Sequence, residues 1–239
     1  HLLVPMLAHE SQILQTLAHL QRARASLDRR GVAYGAVQIG AMIEIPAAAL
    51  NLRPFLTHFD FLSVGTNDLS QFLFAMDRGN PHIADRYDVL SPPFLNVVRH
   101  VVRACADAGV TCSVCGEMAG RPLEAVVLAS LGVSVLSMSA SGIGPVKAAI
   151  RAADLQELAL YLDSVLGLGY RSLRERLRGY ARDIGLAFQI ADDLLDLEGD
   201  EAAAGRVRGA PVGPGPAHPR GQRRVVRALL VEPEHDGVA

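Results

Sequence analysis

The 239-residue chain can hold one large domain, or one domain with an appendage, and with half of its residues hydrophobic it can bury a sizeable core. A formal net charge of −2 excludes the broad basic field that nucleic acid or an acidic membrane surface would select. Charged or polar residues interrupt every apolar run short of a membrane span, and the start carries no signal-peptide pattern.

Residues 2–7 read as a short buried strand. A helix is expected over 10–29, where Ile13, Leu14, Leu17, Leu20, Ala23 and Leu27 recur at helical spacing and Gly31 ends the run. Residues 37–43 read as a strand, followed by a helix from Pro46, a residue suited to a first turn. Residues 61–64 form the next strand. The spacing of Val97, Val98, Val101, Val102 and Cys105 predicts a helix over 94–108, closed by Gly109. Residues 110–114 read as a strand, 122–131 as a helix ending at Gly132, 133–138 as a strand and 143–153 as a helix.

Strands therefore alternate with helices five times, the signature of a parallel α/β fold. No Gly-x-Gly-x-x-Gly opens a helix, which argues against a dinucleotide-binding sheet. Five units are too few to close a (β/α)₈ barrel. The expected architecture is a partial TIM barrel over residues 1–154, with about five of its eight βα units. A helical segment follows over 155–204, with one helix over 155–166 and a longer one from 171 to about 198. The final stretch, 205–239, has six arginines against three acidic residues and is rich in Gly and Pro, so it reads as disordered.

Polar residues gather just after the strands: Glu44, then Asn67 and Asp68, then Cys115 and Glu117, then Ser139. In a barrel, that end of each strand carries function. A strand ending in a loop with an amide and a carboxylate, and with a guanidinium ten residues on at Arg78, can hold a metal ion beside an anion. Mg²⁺ prefers one or two carboxylates with substrate oxygens and water, which Glu44 and Asp68 could supply. Helix capping is the plainer reading of both carboxylates. For Arg78 the plainer reading is an ion pair with Asp77, or solvation. Cys115 could be a nucleophile or an acid that protonates carbon, or an inert buried thiol, with Glu117 orienting it or making a contact one shell further out.

Three cysteines, Cys105, Cys112 and Cys115, make no even disulfide framework, which fits a reducing, cytoplasmic compartment. Cys112 and Cys115 form a Cys-x-x-Cys without a second ligand pair for zinc and without a helix directly behind it for redox work.

Four motifs in order carry a family resemblance: Met42-Ile-Glu-Ile-Pro-Ala47, Gly65-Thr-Asn-Asp-Leu-Ser-Gln71, Asp77-Arg-Gly-Asn80 and Cys115-Gly-Glu-Met-Ala-Gly120. Over residues 1–180 the chain resembles the phosphoenolpyruvate (PEP)-utilising barrel of phosphotransferase-system enzyme I, a PEP–protein phosphotransferase. Its Cys115 motif is closer to that enzyme than to pyruvate phosphate dikinase or PEP synthase. The stretch Ser137-Met-Ser-Ala-Ser-Gly-Ile-Gly-Pro-Val-Lys147 resembles the nitrogen-related branch more than the sugar-transport branch.

The resemblance implies that Glu44 and Asp68 bind Mg²⁺, that Asn67 and Arg78 contact the phosphate of PEP, and that Cys115 protonates the enolate as pyruvate forms. It also implies phosphoryl transfer to a protein histidine and then to a small HPr-like carrier, a homodimeric parent enzyme, and no nucleic-acid or membrane partner.

None of the eight histidines has the family's Thr-Ser-His context, and the strands carrying two further phosphate-binding arginines are missing. With His1 in place of a starting Met, the chain reads as a fragment, expected to be inactive alone.

Near its end the chain resembles another family. Gly185-Leu-Ala-Phe-Gln-Ile-Ala-Asp-Asp-Leu-Leu-Asp-Leu-Glu-Gly-Asp200 is similar to the second aspartate-rich motif of short-chain polyprenyl diphosphate synthases, over residues 180–205. Asp192 and Asp196 share a helical face that, with Asp193, could hold Mg²⁺ against a diphosphate; an acidic solvated face is the plainer reading. A chimera of two reading frames, with an out-of-frame tail, is the expectation that joins the two resemblances. The alternatives to a phosphotransferase fragment are a polyprenyl diphosphate synthase fragment and a non-catalytic dimerisation module.

Overall fold

The computed structural model describes residues 1–84, 87–183 and 227–230. Five parallel strands lie side by side in chain order: β1 (Leu2–Val4), β2 (Ile39–Ile43), β3 (Phe61–Gly65), β4 (Thr111–Cys115) and β5 (Val135–Met138). Each strand's neighbour is the next one in sequence, so the sheet is singly wound, like an arc of a barrel, and the expected α/β class holds.

Register explains the two faces of the sheet. Ala41 lies beside Leu62 and Cys112, and Ile43 beside Val64 and Val114, with Leu136 next in line. All seven are buried apolar or thiol side chains. Alternation sends their neighbours Met42, Ser63 and Ser113 to the opposite face. That second face ends at Glu44 and Cys115.

The helices α1 (Glu10–Arg29), α2 (Pro46–Leu50), α3 (Arg53–His58), α4 (Thr66–Leu73), α5 (Pro81–Ala84), α6 (Pro92–Asp107), α7 (Pro122–Ser130) and α8 (Ala140–Ala152) connect the strands or follow them. The α6 helix buries Phe94, Leu95, Val98, Val101 and Cys105 as it packs on β3 and β4. It begins two residues before the predicted start, because Pro92 and Pro93 fit a first turn that needs no donated N–H. The first strand is shorter than predicted. Pro5 offers no N–H, and Met6 adopts φ +59, so pairing stops at Val4. The short α3 was not legible as a helix.

The segment after β3 corrects an expectation. Asn67 and Asp68 do not sit in a loop but in the first turn of α4, which starts directly behind Gly65. A carboxylate there complements the positive end of the helix dipole.

Past α8, the helices α9 (Leu155–Val165) and α10 (Arg174–Asp183) fold back onto the same core. The Asp154 carboxylate caps α9, accepting from the N–H groups of Gln156 and Glu157 at 2.9 and 3.0 Å. Leu158, Leu162, Val165, Leu166, Leu173 and Leu177 are buried with the sheet's apolar residues. The predicted long helix is described to Asp183; Asp192, Asp193 and Asp196 lie outside the described residues. Within the stretch expected to be disordered, Arg227–Leu230 form a strand, β6, parallel to β5. These four residues extend the sheet by one strand. No described helix is long and apolar enough to cross a membrane.

Candidate active site

The ends of β2, β3 and β4 bring Glu44, Asn67, Asp68 and Cys115 together, as their places after the strands predicted. Glu44 follows β2 directly and is 3% exposed. One of its oxygens, Oε1, accepts the backbone N–H of Met6 at 2.7 Å. The turn after β1 thus anchors this carboxylate, through a main-chain donor that no side-chain motif announces. Burial pushes Glu44 above the usual carboxylate range; the Met6 hydrogen bond opposes this, and contact with the Asp68 carboxylate adds to it.

Gly65 lies between them for lack of space. A Cβ there would meet Met42 Sδ at 2.9 Å, and Glu44 Cβ and Oε2 at 3.0 Å each.

Asp68 receives Arg78, whose Nη2 lies 3.5 Å from Oδ1. Asp77, the expected ordinary partner of Arg78, instead accepts the Gly79 N–H at 2.8 Å and closes its own turn. The Arg78 N–H also reaches Gln71 Oε1 at 3.4 Å. Arg78 therefore projects into the site while its side chain stays half-exposed. An exposed pair of this kind contributes little stability, about 0–1 kcal/mol, so its placement matters more than its strength.

Cys115 ends β4 beside Gly65 in register. Its thiol donates to the Val64 carbonyl at 3.5 Å. Burial raises its pKa, Ser63 pulls it back, and the charges of Glu44 and Asp68 raise it further. The thiol thus keeps its proton at neutral pH.

Two residues missed in the sequence fix this arrangement. Thr66, fully buried, donates its hydroxyl to the Cys115 carbonyl at 2.9 Å. Gly116 has φ +101, and a Cβ on it would lie 2.5 Å from Thr66 Oγ1 and 3.2 Å from Asn67 Oδ1. The Gly-Thr and Cys-Gly pairs flanking the polar residues were the available signal.

Glu117 does not orient Cys115. It is exposed and pairs with Arg121 at 3.4 Å. The Cys-x-x-Cys is likewise no unit, because Cys112 and Cys115 fall on opposite faces of β4. Cys112 instead contacts Cys105 of α6.

Among the described residues, no three His, Cys, Asp or Glu side chains gather into a metal cage. The pair Glu44 and Asp68 nevertheless fits a divalent cation. Two carboxylates are in contact, one of them buried, and Arg78 pairs with Asp68 alone, so a cation could bridge them. Mg²⁺ commonly takes one or two protein carboxylates and completes its shell with substrate oxygens and water.

Comparison with known proteins gives two family matches. The model for the PEP-binding domain of PEP-utilising enzymes matches residues 1–155, and that for polyprenyl synthetase matches residues 148–210. A phosphoenolpyruvate–protein phosphotransferase of Cupriavidus necator is 46% identical over 166 residues, covering 69% of this chain and 28% of the relative. Its counterpart in Geobacillus stearothermophilus is 38% identical over 169 residues, covering 70% and 29%. Multiphosphoryl transfer protein 1 of Escherichia coli is 33% identical over 154 residues, covering 64% and 18%. The chain spans under a third of the length of these curated relatives. A solved citrate lyase from Burkholderia xenovorans is similar at a TM-score of 0.46 and 18% identity, covering 86% of this chain and 64% of that one.

Proposed function

The chain belongs to the PEP-utilising enzyme family through its PEP-binding domain, and from that premise we propose that it is the PEP-binding portion of a phosphoenolpyruvate–protein phosphotransferase. The observation that carries this reading is the convergence of Glu44, Asp68 and Cys115 at the ends of neighbouring strands or directly behind them, with Arg78 reaching Asp68 from the segment after α4.

Glu44 and Asp68 would hold Mg²⁺, which when bound offsets charge on the moving phosphoryl group and polarises the enolate oxygen. Arg78 and Asn67 orient the phosphate. Arg78 suits this because a guanidinium can exchange one anionic partner, Asp68, for the two oxygens of a phosphate fork. The phosphoryl group leaves for a histidine that this chain does not supply in the family's context, and its bond electrons pass to the enolate of pyruvate. Cys115 then breaks its S–H bond and gives that proton to the methylene carbon. In reverse, the thiolate takes a proton from pyruvate's methyl group. The raised pKa of Cys115 suits the first direction, since the resting thiol is loaded with the proton it must give.

Acceptor histidine, HPr-like carrier, Mg²⁺ dependence and dimeric parent are parts of this proposal, as is the inactivity of the chain alone. So is its place in the nitrogen-related branch.

Calorimetry with PEP and Mg²⁺ tests the reading directly. Binding by the full chain that is lost in Asp68→Ala and Arg78→Ala supports it; binding that survives both substitutions overturns it. A coupled pyruvate-release assay with carrier protein tests the claim of inactivity, which robust turnover refutes.

A further inference from the structure

The Arg78 segment is flanked by residues that have no part in the chemistry. Before it, the Phe74 ring stacks on Tyr87 with centroids 4.7 Å apart and planes at 8°, and Phe74 also packs against Phe94 of α6. Directly after Tyr87 comes Asp88, the centre of an ionic cluster 10 residues past Arg78. Arg174, the first residue of α10, clasps Asp88 with both arms. Its Nε donates to Oδ2 at 2.8 Å and its Nη2 to Oδ1 at 2.9 Å. Nη2 also donates to the buried Glu124 of α7 at 2.9 Å. Ser172 Oγ adds a hydrogen bond to Asp88 Oδ2 at 2.8 Å, and the Leu173 N–H donates to the Leu90 carbonyl at 2.9 Å. Leu173 and Leu177 seat the same stretch in the core.

We propose that Arg174 is a positioning residue for Arg78: by clasping Asp88 it fixes Tyr87, and through the Tyr87–Phe74 stack it holds the segment that carries the phosphate-binding guanidinium. This rests on the proposed role of Arg78. Its consequence for domain organisation is specific. Arg174 lies beyond the PEP-binding match, which ends at residue 155, and inside the polyprenyl synthetase match at 148–210. The PEP-binding unit therefore extends into α10, and the stretch similar to polyprenyl synthetase begins with residues that serve the barrel. A bidentate guanidinium–carboxylate pair suits this task because it fixes orientation as well as distance. Glu124, held in α7, ties the clasp to the rigid core.

Hydrogen exchange on the full chain decides the point, with peptides covering residues 71–80 as the readout and calorimetry beside it. Arg174→Gln is expected to speed exchange there about tenfold and weaken PEP binding about tenfold, with Mg²⁺ affinity kept within about twofold, since Glu44 directly behind β2 and Asp68 in the first turn of α4 lie outside that segment. Asp88→Asn should give the same pattern, and the double variant little more, because the two residues act as one unit. Unchanged exchange over residues 71–80 in a folded Arg174→Gln chain overturns the proposal, as does faster exchange spread evenly over all strands. Should Arg174→Gln not fold, Ser172→Ala and Arg174→Lys are read the same way, with smaller effects. A wild-type chain that binds no PEP defeats the functional reading alone, and the exchange data then still decide the clasp.

Discussion

The Thr66 hydroxyl donates to the Cys115 carbonyl at 2.9 Å, tying the end of β3 to the end of β4. This side-chain bond adds to the β3–β4 pairing and to the Cys115 thiol's bond to the Val64 carbonyl in holding the carboxylate-bearing turn against the thiol-bearing strand end. Thr66→Val keeps the shape and removes the donor. It should cost about 1–2 kcal/mol in urea unfolding, with Thr66→Ser restoring most of it. No difference between the two variants would remove this bond from the account.

Gly116→Ala is expected to be more damaging. Its backbone, at φ +101, lies in a region that an L side chain occupies only at a cost of about 1–3 kcal/mol. The added methyl would also overlap Thr66 Oγ1. Thermal unfolding should register a loss of at least ~2 kcal/mol. A variant as stable as wild type would show that the turn can take another conformation.

Gly65→Ala separates folding from binding. Its backbone angle, φ −86, suits any residue, and two of the three close neighbours are the ends of flexible side chains. The chain should stay folded while the Glu44 carboxylate is pushed aside, weakening Mg²⁺ about tenfold by calorimetry. Undiminished Mg²⁺ affinity would mean that Glu44 is not a ligand.

Cys115 should be the thiol labelled first by iodoacetamide, since Cys105 and Cys112 are buried more deeply. Burial raises its pKa, so labelling at neutral pH should be slower than for a free thiol and should accelerate as pH rises past the ordinary thiol range. Glu44→Gln removes a nearby negative charge and should speed it. Peptide mapping by mass spectrometry reads all three cysteines at once, and fast neutral-pH labelling of Cys115 would contradict its proposed role as a loaded acid.

Asp88 sets a pH dependence. Burial raises its pKa, but hydrogen bonds from Arg174, Leu90 and Ser172 outweigh this and bring it below the usual carboxylate value. The folded chain therefore ionises Asp88 more readily than the unfolded one. The stability so gained is complete above the ordinary carboxylate range and is lost as pH falls through the lowered folded value. Asp88→Asn should thus destabilise the chain at neutral pH and matter little in strong acid. Equal loss in urea unfolding under both conditions would sink this assignment.

Much of the site was legible because its residues sit next to strands in sequence. Glu44, Asn67, Asp68 and Cys115 each follow a short apolar run, and a parallel sheet gathers the ends of such runs on one rim. Glu117 misled because it sits two residues past Cys115, and proximity in sequence does not say which way a side chain turns. The helical start of α4 was hidden because Gly65-Thr66 reads as a turn until burial of Thr66 and Leu69 favours a helix.

By itself the sequence determined the α/β class, the strand order of local βα units and the residue types at the strand ends, since period and adjacency along the chain encode those directly. Only the tertiary structure decided which partners meet across elements. Arg78 takes Asp68 rather than neighbouring Asp77, Met6 holds Glu44 from 38 residues away, and Arg174 clasps Asp88 from 86 away. Such contacts depend on how packed elements stack in space, and no periodicity along the chain records it.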